Sequence, residues 1–383
     1  MNAKETSKSK RIHWMDNLRT ITILLVVLYH VGGVYEAAGT WGWFWIVDDP
    51  ATITWVGIVG IMFDTMVMPI MFFIAGYLVP ASLDKKTGGQ FLAGKFKRLI
   101  IPWVIAVFTL IPLYKVIFLY SRGLPQEHWT TYFHITSPNG QIWLWFLPVL
   151  FLFNLLYVAL SALNIRMSKI SFRWATLGVF LIGLVYSFSI GSLAGHRSWT
   201  ITPLIDFENE RLLLYFMVFL LGALALRQEL FAEKPPDKRL YTIMNAVAWI
   251  PITAHIILRL IPFFVPGGFS ETSFFLALWW LSFYIALWCL MYLMIQSFRR
   301  YLDRTGRIWG ELNKNSYGVY INHVIMIGVF GTLLLNLSLP ALVKYPLLIV
   351  LTYVASNLLV SLYRGIRQSL RPGHSESVQK LSV

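Results

Sequence analysis

An arginine and a histidine eleven residues apart, Arg19 and His30, stand at the two ends of the uncharged run TITILLVVLY. On an α-helix eleven residues make about three turns, so the two side chains fall on nearly one face, roughly 16 Å apart along the axis. A histidine in such a run is costly to bury. Either it faces the interior of a helix bundle and marks a pathway or a site, or it is a neutral imidazole that glues two helices together. As a site, its chemistry is proton transfer, the imidazole taking the proton of an attacking hydroxyl. Arg19 suits phosphate, because a guanidinium forks onto phosphate oxygens.

Three further groups carry chemistry. The stretch GGQFLAGKFKRLIIPW reads as a cytoplasmic loop that brings Lys95, Lys97 and Arg98 to the mouth of the third span, where with Arg19 they would form a cationic rim. Asp64 is the only carboxylate deep in an apolar run, at a depth similar to that of His30. Pairing with His30 would fix the imidazole tautomer and stabilise the imidazolium; the alternatives are a protonated aspartate or one paired with a basic residue such as Lys115. In NSYGVYINH, Tyr317, Tyr320 and His323 share one helical face at i, i+3 and i+6, with His323 expected below His30 in the inner half of the membrane. There they would hold the arm of a carrier or bond to a neighbouring helix. His255 and Asn154 read as structural polar groups. No CxxC, HExxH, Walker glycine loop or GxSxG occurs, so metal and nucleotide chemistry have no support and no resident cofactor is expected. The single cysteine, Cys289, lies in an apolar run and excludes an intramolecular disulfide.

The elements that must position these residues are membrane helices. Of 383 residues 57% are hydrophobic and 13% charged, against about 25% charged in a soluble domain. The fold class is therefore all-α and polytopic, with the lipid bilayer as solvent. Ten apolar segments are long enough to cross or nearly cross it: 18–37, 52–83, 99–120, 142–163, 175–193, 210–227, 240–264, 273–298, 316–335 and 342–363. A formal charge of +14 raises nucleic acid as a partner, but 26 of the 32 Lys and Arg fall on the side of the two termini. That asymmetry is the positive-inside pattern; it places both termini in the cytoplasm and leaves no role for nucleic acid. Residues 1–10 read as a disordered leader, 11–370 as one ten-span domain and 371–383 as a cytoplasmic tail. The long second segment contains Pro69 and predicts a tilted or kinked helix. Outside, the loop 121–141, the acidic Asp206, Glu208 and Glu210, and Trp41, Trp43 and Trp45 would grip a polar ligand, unless the tryptophans are simply interfacial belt residues. Nothing in the sequence sets an oligomeric state.

DNLR followed ten residues later by His30, then MPIMFFIAGYL, KFKRLIIP, IWLWFLPVLFLF and NSYGVYINH, in that order, resembles the acyltransferase 3 family of integral membrane acyltransferases, in layout most like its glucan biosynthesis protein C branch. The resemblance covers essentially all ten spans. It implies a membrane-bound O-acyltransferase that moves an acyl group from cytoplasmic acyl-CoA to a hydroxyl of a glycan, or another polyhydroxyl acceptor, outside a bacterial-type inner membrane. It carries onto Arg19 the role of carrier-binding cation and onto His30 that of catalytic histidine. The family's basic pair before the third span stands here as Lys95 and Arg98, with lysine for the more usual arginine. His30 would act as general base or form an acyl-histidine. A rival reading is a proton-coupled transporter or flippase for a lipid-linked glycan, with His30, Asp64 and His323 as relay.

Overall fold

The computed structural model describes residues 12–37, 45–135, 140–163, 170–232, 235 and 238–370. Trp41, Trp43, the leader 1–10 and the tail 371–383 lie outside them. The chain is an all-α bundle. Nine helices among the described residues are long and apolar enough to cross a membrane, and a tenth, shorter apolar helix lies between them. In order these are α1 (His13–Tyr35), α2 (Thr54–Tyr77) with the short α3 (Val79–Leu83), and α4 (Gly88–Lys95) running through a π turn (Phe96–Ile100) into α5 (Ile101–Ser121). Then come α6 (Phe146–Ala162), α7 (Phe172–Ala194), α8 (Leu212–Arg227), α9 (Lys238–Val247) leading into α10 (Trp249–Phe264), α11 (Ser273–Tyr301), α12 (Arg307–Leu335) and α13 (Ala341–Ser369). A two-residue antiparallel pair, β1 (Trp199–Thr200) with β2 (Phe207–Glu208), closes the connection between α7 and α8.

Two backbone features shape these elements. α2 continues through Pro69 and stops at Leu78, and Pro80 occupies the first turn of α3, where a missing N–H costs nothing. The basic stretch before the third span is helix rather than loop. Thr87 accepts the Gln90 N–H (3.3 Å) while the Gln90 side chain accepts the Thr87 N–H (3.2 Å), a capping box that starts the helix at Gly88. Pro102 then has no N–H for the Arg98 carbonyl. The chain widens there into the π turn, in which the Ile101 N–H reaches Phe96 O, and the Tyr317 hydroxyl donates to Arg98 O (2.6 Å).

The tightest helix crossing is that of α2 with α8. A methyl group at Gly76 would lie 1.9 Å from the Phe219 carbonyl oxygen, and one at Gly222 would lie 2.1 Å from that of Phe73. Without apolar solvent contrast to drive association, such backbone approach is what holds membrane helices together. Gly222→Ala is expected to destabilise by about 1–3 kcal/mol or more, read as a fall in the melting temperature of the detergent-purified protein. An unchanged melting temperature would mean that the crossing can spread at no cost.

The opening motif is fixed at the same time. Asn17, 1% exposed, donates to Leu302 O (2.7 Å) and Arg304 O (2.9 Å) and accepts from Asn313 (2.9 Å). Its amide thus ties α1 to the turn between α11 and α12. Farther along NSYGVYINH, a Cβ at Gly318 would meet Val360, so the motif's glycine lets α12 lie close to α13.

Candidate active site

A cavity of ≈ 370 Å³ opens between the second half of α1, the first half of α2 and the segments 142–145 and 197–208. It lies in the half of the bundle away from the described ends of the chain, and it is of the size that small ligands occupy. His30 lines it. Its ring packs against Tyr29 (5.5 Å between centroids), Trp45 (5.4 Å) and His323 (4.9 Å). His30 Nδ1 is 2.8 Å from Val26 O, and a carbonyl oxygen can only accept. Nδ1 therefore carries the proton of the neutral ring, and Nε2 is its basic nitrogen. The helix's own i−4 carbonyl thus does the tautomer-fixing that a carboxylate does elsewhere.

Asp64 does not pair with His30, nor with Lys115, which bridges Glu127 (3.1 Å). Asp64 receives Arg211 through both oxygens (3.0 and 3.2 Å), Arg259 (3.3 Å) and the Tyr29 hydroxyl (3.4 Å). Both Asp64 and His30 line the cavity. Depth does not set azimuth: the carboxylate of Asp64 turns toward the arginines at the start of α8 and on α10. Arg211 also meets Glu208 (3.4 Å), and it packs over Phe283 with its side chain 1% exposed.

The His323 ring is in direct contact with that of His30. Its Nδ1 bonds to Tyr320 O (2.7 Å) and its Nε2 is buried without a hydrogen-bond partner among the described residues. The shared face of Tyr317, Tyr320 and His323 distributes its side chains to three places. Tyr317 reaches the π turn, the Tyr320 hydroxyl donates to Trp143 O at the cavity wall, and His323 reaches His30. His255 bonds Ser282 (3.0 Å), away from the cavity wall.

At the other end of α1, Arg19 pairs with Asp16 (3.0 Å) and donates to Ser316 Oγ and Asn313 O, each at 3.3 Å. Arg19 meets α12 at Asn313 and Ser316, His30 meets it at His323, and both therefore lie on the α12-facing side of α1. Arg98 is drawn to the same turn of α12 through its carbonyl and Tyr317. The Lys97 and Arg98 side chains are exposed, and Lys95 is half-buried with its ammonium 5.1 Å from the Phe91 ring. None of these four cations lines the cavity.

The rest of the cavity wall is aromatic and acidic. Trp45 and Trp143, each 2% exposed, are buried wall residues rather than belt residues. No described residue of the loop 121–141 reaches the wall. Asp206 accepts the backbone N–H groups of Gln141 (2.6 Å) and Thr202 (2.9 Å), which pull its pKa down, but burial is the larger effect and pushes it above the usual carboxylate range. The arginine cluster escaped the sequence reading, although a signal was there. Arg259 stands in the apolar run of α10, and an intramembrane arginine requires a carboxylate, of which Asp64 was the single deep one.

A family model described as an acyltransferase domain, acyltransferase 3, matches residues 12–362. No curated protein and no solved structure matches the chain. Among the described residues no group of three or more His, Cys, Asp or Glu is arranged to hold a metal ion.

Proposed function

The chain belongs to the acyltransferase 3 family, and from that premise we propose that it transfers an acyl group from acyl-CoA to a hydroxyl of a glycan or similar polyhydroxyl acceptor held in the His30 cavity. The observation that carries this reading is the His30 ring itself, with Nδ1–H committed to Val26 O and Nε2 left as the base, in a cavity walled by tryptophans and carboxylates. Flat aromatic faces cover the C–H surfaces of a sugar, and carboxylates accept its hydroxyl protons. His30 Nε2 takes the proton of the acceptor hydroxyl as that oxygen attacks the thioester carbonyl. The carbon–sulfur bond breaks, and the departing thiolate of CoA receives the proton from His30. The acyl-histidine route differs in one observable: it releases CoA in a stoichiometric burst before acceptor is added.

Arg19, Lys95, Lys97 and Arg98 hold the phosphates of CoA, and the clustering of Arg19 and Arg98 on one turn of α12 supports this. Tyr317, Tyr320 and His323 line the way along α12 by which the pantetheine arm reaches His30. The setting is a bacterial-type inner membrane with both termini in the cytoplasm, supported by the bias of 26 of 32 basic residues toward the side of the termini. Acyl-CoA is thus met inside and the acceptor outside.

The direct test is release of free CoA by membranes containing the protein when acyl-CoA and an oligosaccharide are supplied together; consumption that ignores the acceptor would overturn the reading. Arg98→Ala is expected to raise the KM for acyl-CoA by roughly 10- to 150-fold with kcat nearly unchanged, the equivalent of one charged hydrogen bond of about 1.5–3 kcal/mol. A fall in kcat at constant KM would place Arg98 elsewhere.

A further inference from the structure

Two guanidiniums, Arg211 and Arg259, meet two carboxylates where the cavity touches α8 and α10, and a third, Arg197, lines the same cavity. Arg211 is shared by Asp64 and Glu208, and Arg259 reaches Asp64 with one nitrogen only. Arg259 is 7% exposed, it lines the cavity, and its other terminal nitrogen, Nη1, is buried with no hydrogen-bond partner among the described residues. Arg197 also lines the cavity, and its guanidinium makes no salt bridge with the described residues. Its backbone is left-handed (φ +61°), in the region that side chains avoid, and is held there by the N–H of Arg197 donating to the fully buried Glu210. Strain of this kind persists where the surroundings impose it, and it gathers at ligand clamps.

We propose that Arg197 and Arg259 form a subsite for a single carboxylate carried by the ligand, separated from His30 by Tyr29 and Asp64. The ion pairs leave room for one further carboxylate. Asp64 is shared by Arg211 and Arg259, Glu208 meets Arg211, and no described carboxylate forms a salt bridge with Arg197. The other acids nearby point elsewhere: Glu210 accepts the Arg197 N–H and faces His196 (3.6 Å), and Asp206 accepts two backbone N–H groups. Glu36 belongs to another part of the wall, at the end of α1 against Gly57. A carboxylate supplies two acceptor oxygens to a guanidinium fork, which a neutral hydroxyl does not. Two parts of a transferase's substrates can carry it, the far end of a dicarboxylic acyl chain or an acidic sugar of the acceptor.

The subsite rests on the transferase reading for its ligand, so the test has one arm that does not depend on turnover. In the first arm, the melting temperature of the purified full-length protein is followed with succinate, glucuronate and glucose. Saturable stabilisation by either acid, absent with glucose and lost in Arg197→Gln, supports the subsite even if no CoA is released. In the second arm, CoA release is compared for succinyl-CoA against butyryl-CoA with a neutral oligosaccharide, and for acetyl-CoA with a uronic-acid oligosaccharide against its neutral counterpart. A kcat/KM ratio of roughly tenfold or more in one pair, collapsing in Arg197→Gln and in Arg259→Gln, assigns the source of the carboxylate. Equal stabilisation by glucose and glucuronate, or a charge preference unchanged in Arg197→Gln, overturns the proposal. Absence of CoA release in every pair counts against the transferase reading alone, the first arm then deciding the subsite.

Discussion

Replacing His30 by glutamine is expected to lower kcat by about 10²–10⁴-fold while leaving the affinity for acyl-CoA nearly unchanged. The expectation follows from which nitrogen is basic. Val26 O holds Nδ1–H, so the proton acceptor is Nε2, and a glutamine amide at the same place keeps size and polarity but has no lone pair of comparable basicity. Ring packing is a smaller concern. His30 touches Tyr29, Trp45 and His323 edge-on or tilted, and contacts of this kind are worth about 0.5–1.5 kcal/mol each. Glutamine therefore tests chemistry more than packing, and His30→Ala should fail by a similar factor. The measurement is single-turnover CoA release together with acyl-CoA binding. If glutamine retained most of the turnover, the imidazole would be interhelical glue and the base would have to be sought elsewhere on the wall.

What the sequence made legible was whatever local periodicity controls. The eleven-residue spacing of Arg19 and His30 put both on one face of α1, and the bundle presents that face to α12, at Asn313 and Ser316 for one and at His323 for the other. Ten apolar runs became, among the described residues, nine long helices and the shorter α8, because in a bilayer the backbone has no other way to satisfy its polar groups. What stayed hidden was azimuth and partner choice. Asp64 and His30 line one cavity, yet the carboxylate of Asp64 faces the arginines at the start of α8 and on α10. Nothing in the α2 sequence alone announces that direction; it is set by where Gly76 and Gly222 let the two backbones cross. The glycine of FFIAGYL and the asparagine of DNLR similarly serve packing and chain tethering, functions that a reading for chemistry passes over. Lys95, expected on a loop, stands on a helix because the Thr87–Gln90 capping box starts one at Gly88.

The second large effect belongs to that hidden cluster. Asp64→Asn removes the anion that Arg211, 1% exposed at its side chain, and Arg259, 7% exposed, both contact. Taking one partner from a buried ion pair costs about 3–5 kcal/mol, since the remaining charge stays desolvated. Glu208 still meets Arg211 and the Asp64 side chain is 17% exposed, which together put the expected loss toward the lower end of that range. The readout is the melting temperature of the purified protein, and the double variant Asp64→Asn with Arg259→Gln should recover part of the loss, because it restores the balance of charge. This separates two roles for Asp64. As the hub of a structural ion cluster it gives a stability defect rescued by deleting an arginine, with effects on turnover that add to those of His30→Gln. As a group acting on His30 through Tyr29, whose hydroxyl it accepts and whose ring abuts the imidazole, it gives a turnover defect that vanishes in the His30→Gln background, as residues working as one unit do. The geometry favours the first, with two guanidiniums on the carboxylate against one long hydrogen bond to Tyr29. An Asp64→Asn protein with unchanged melting temperature and a kcat defect absent beside His30→Gln would reverse that assignment.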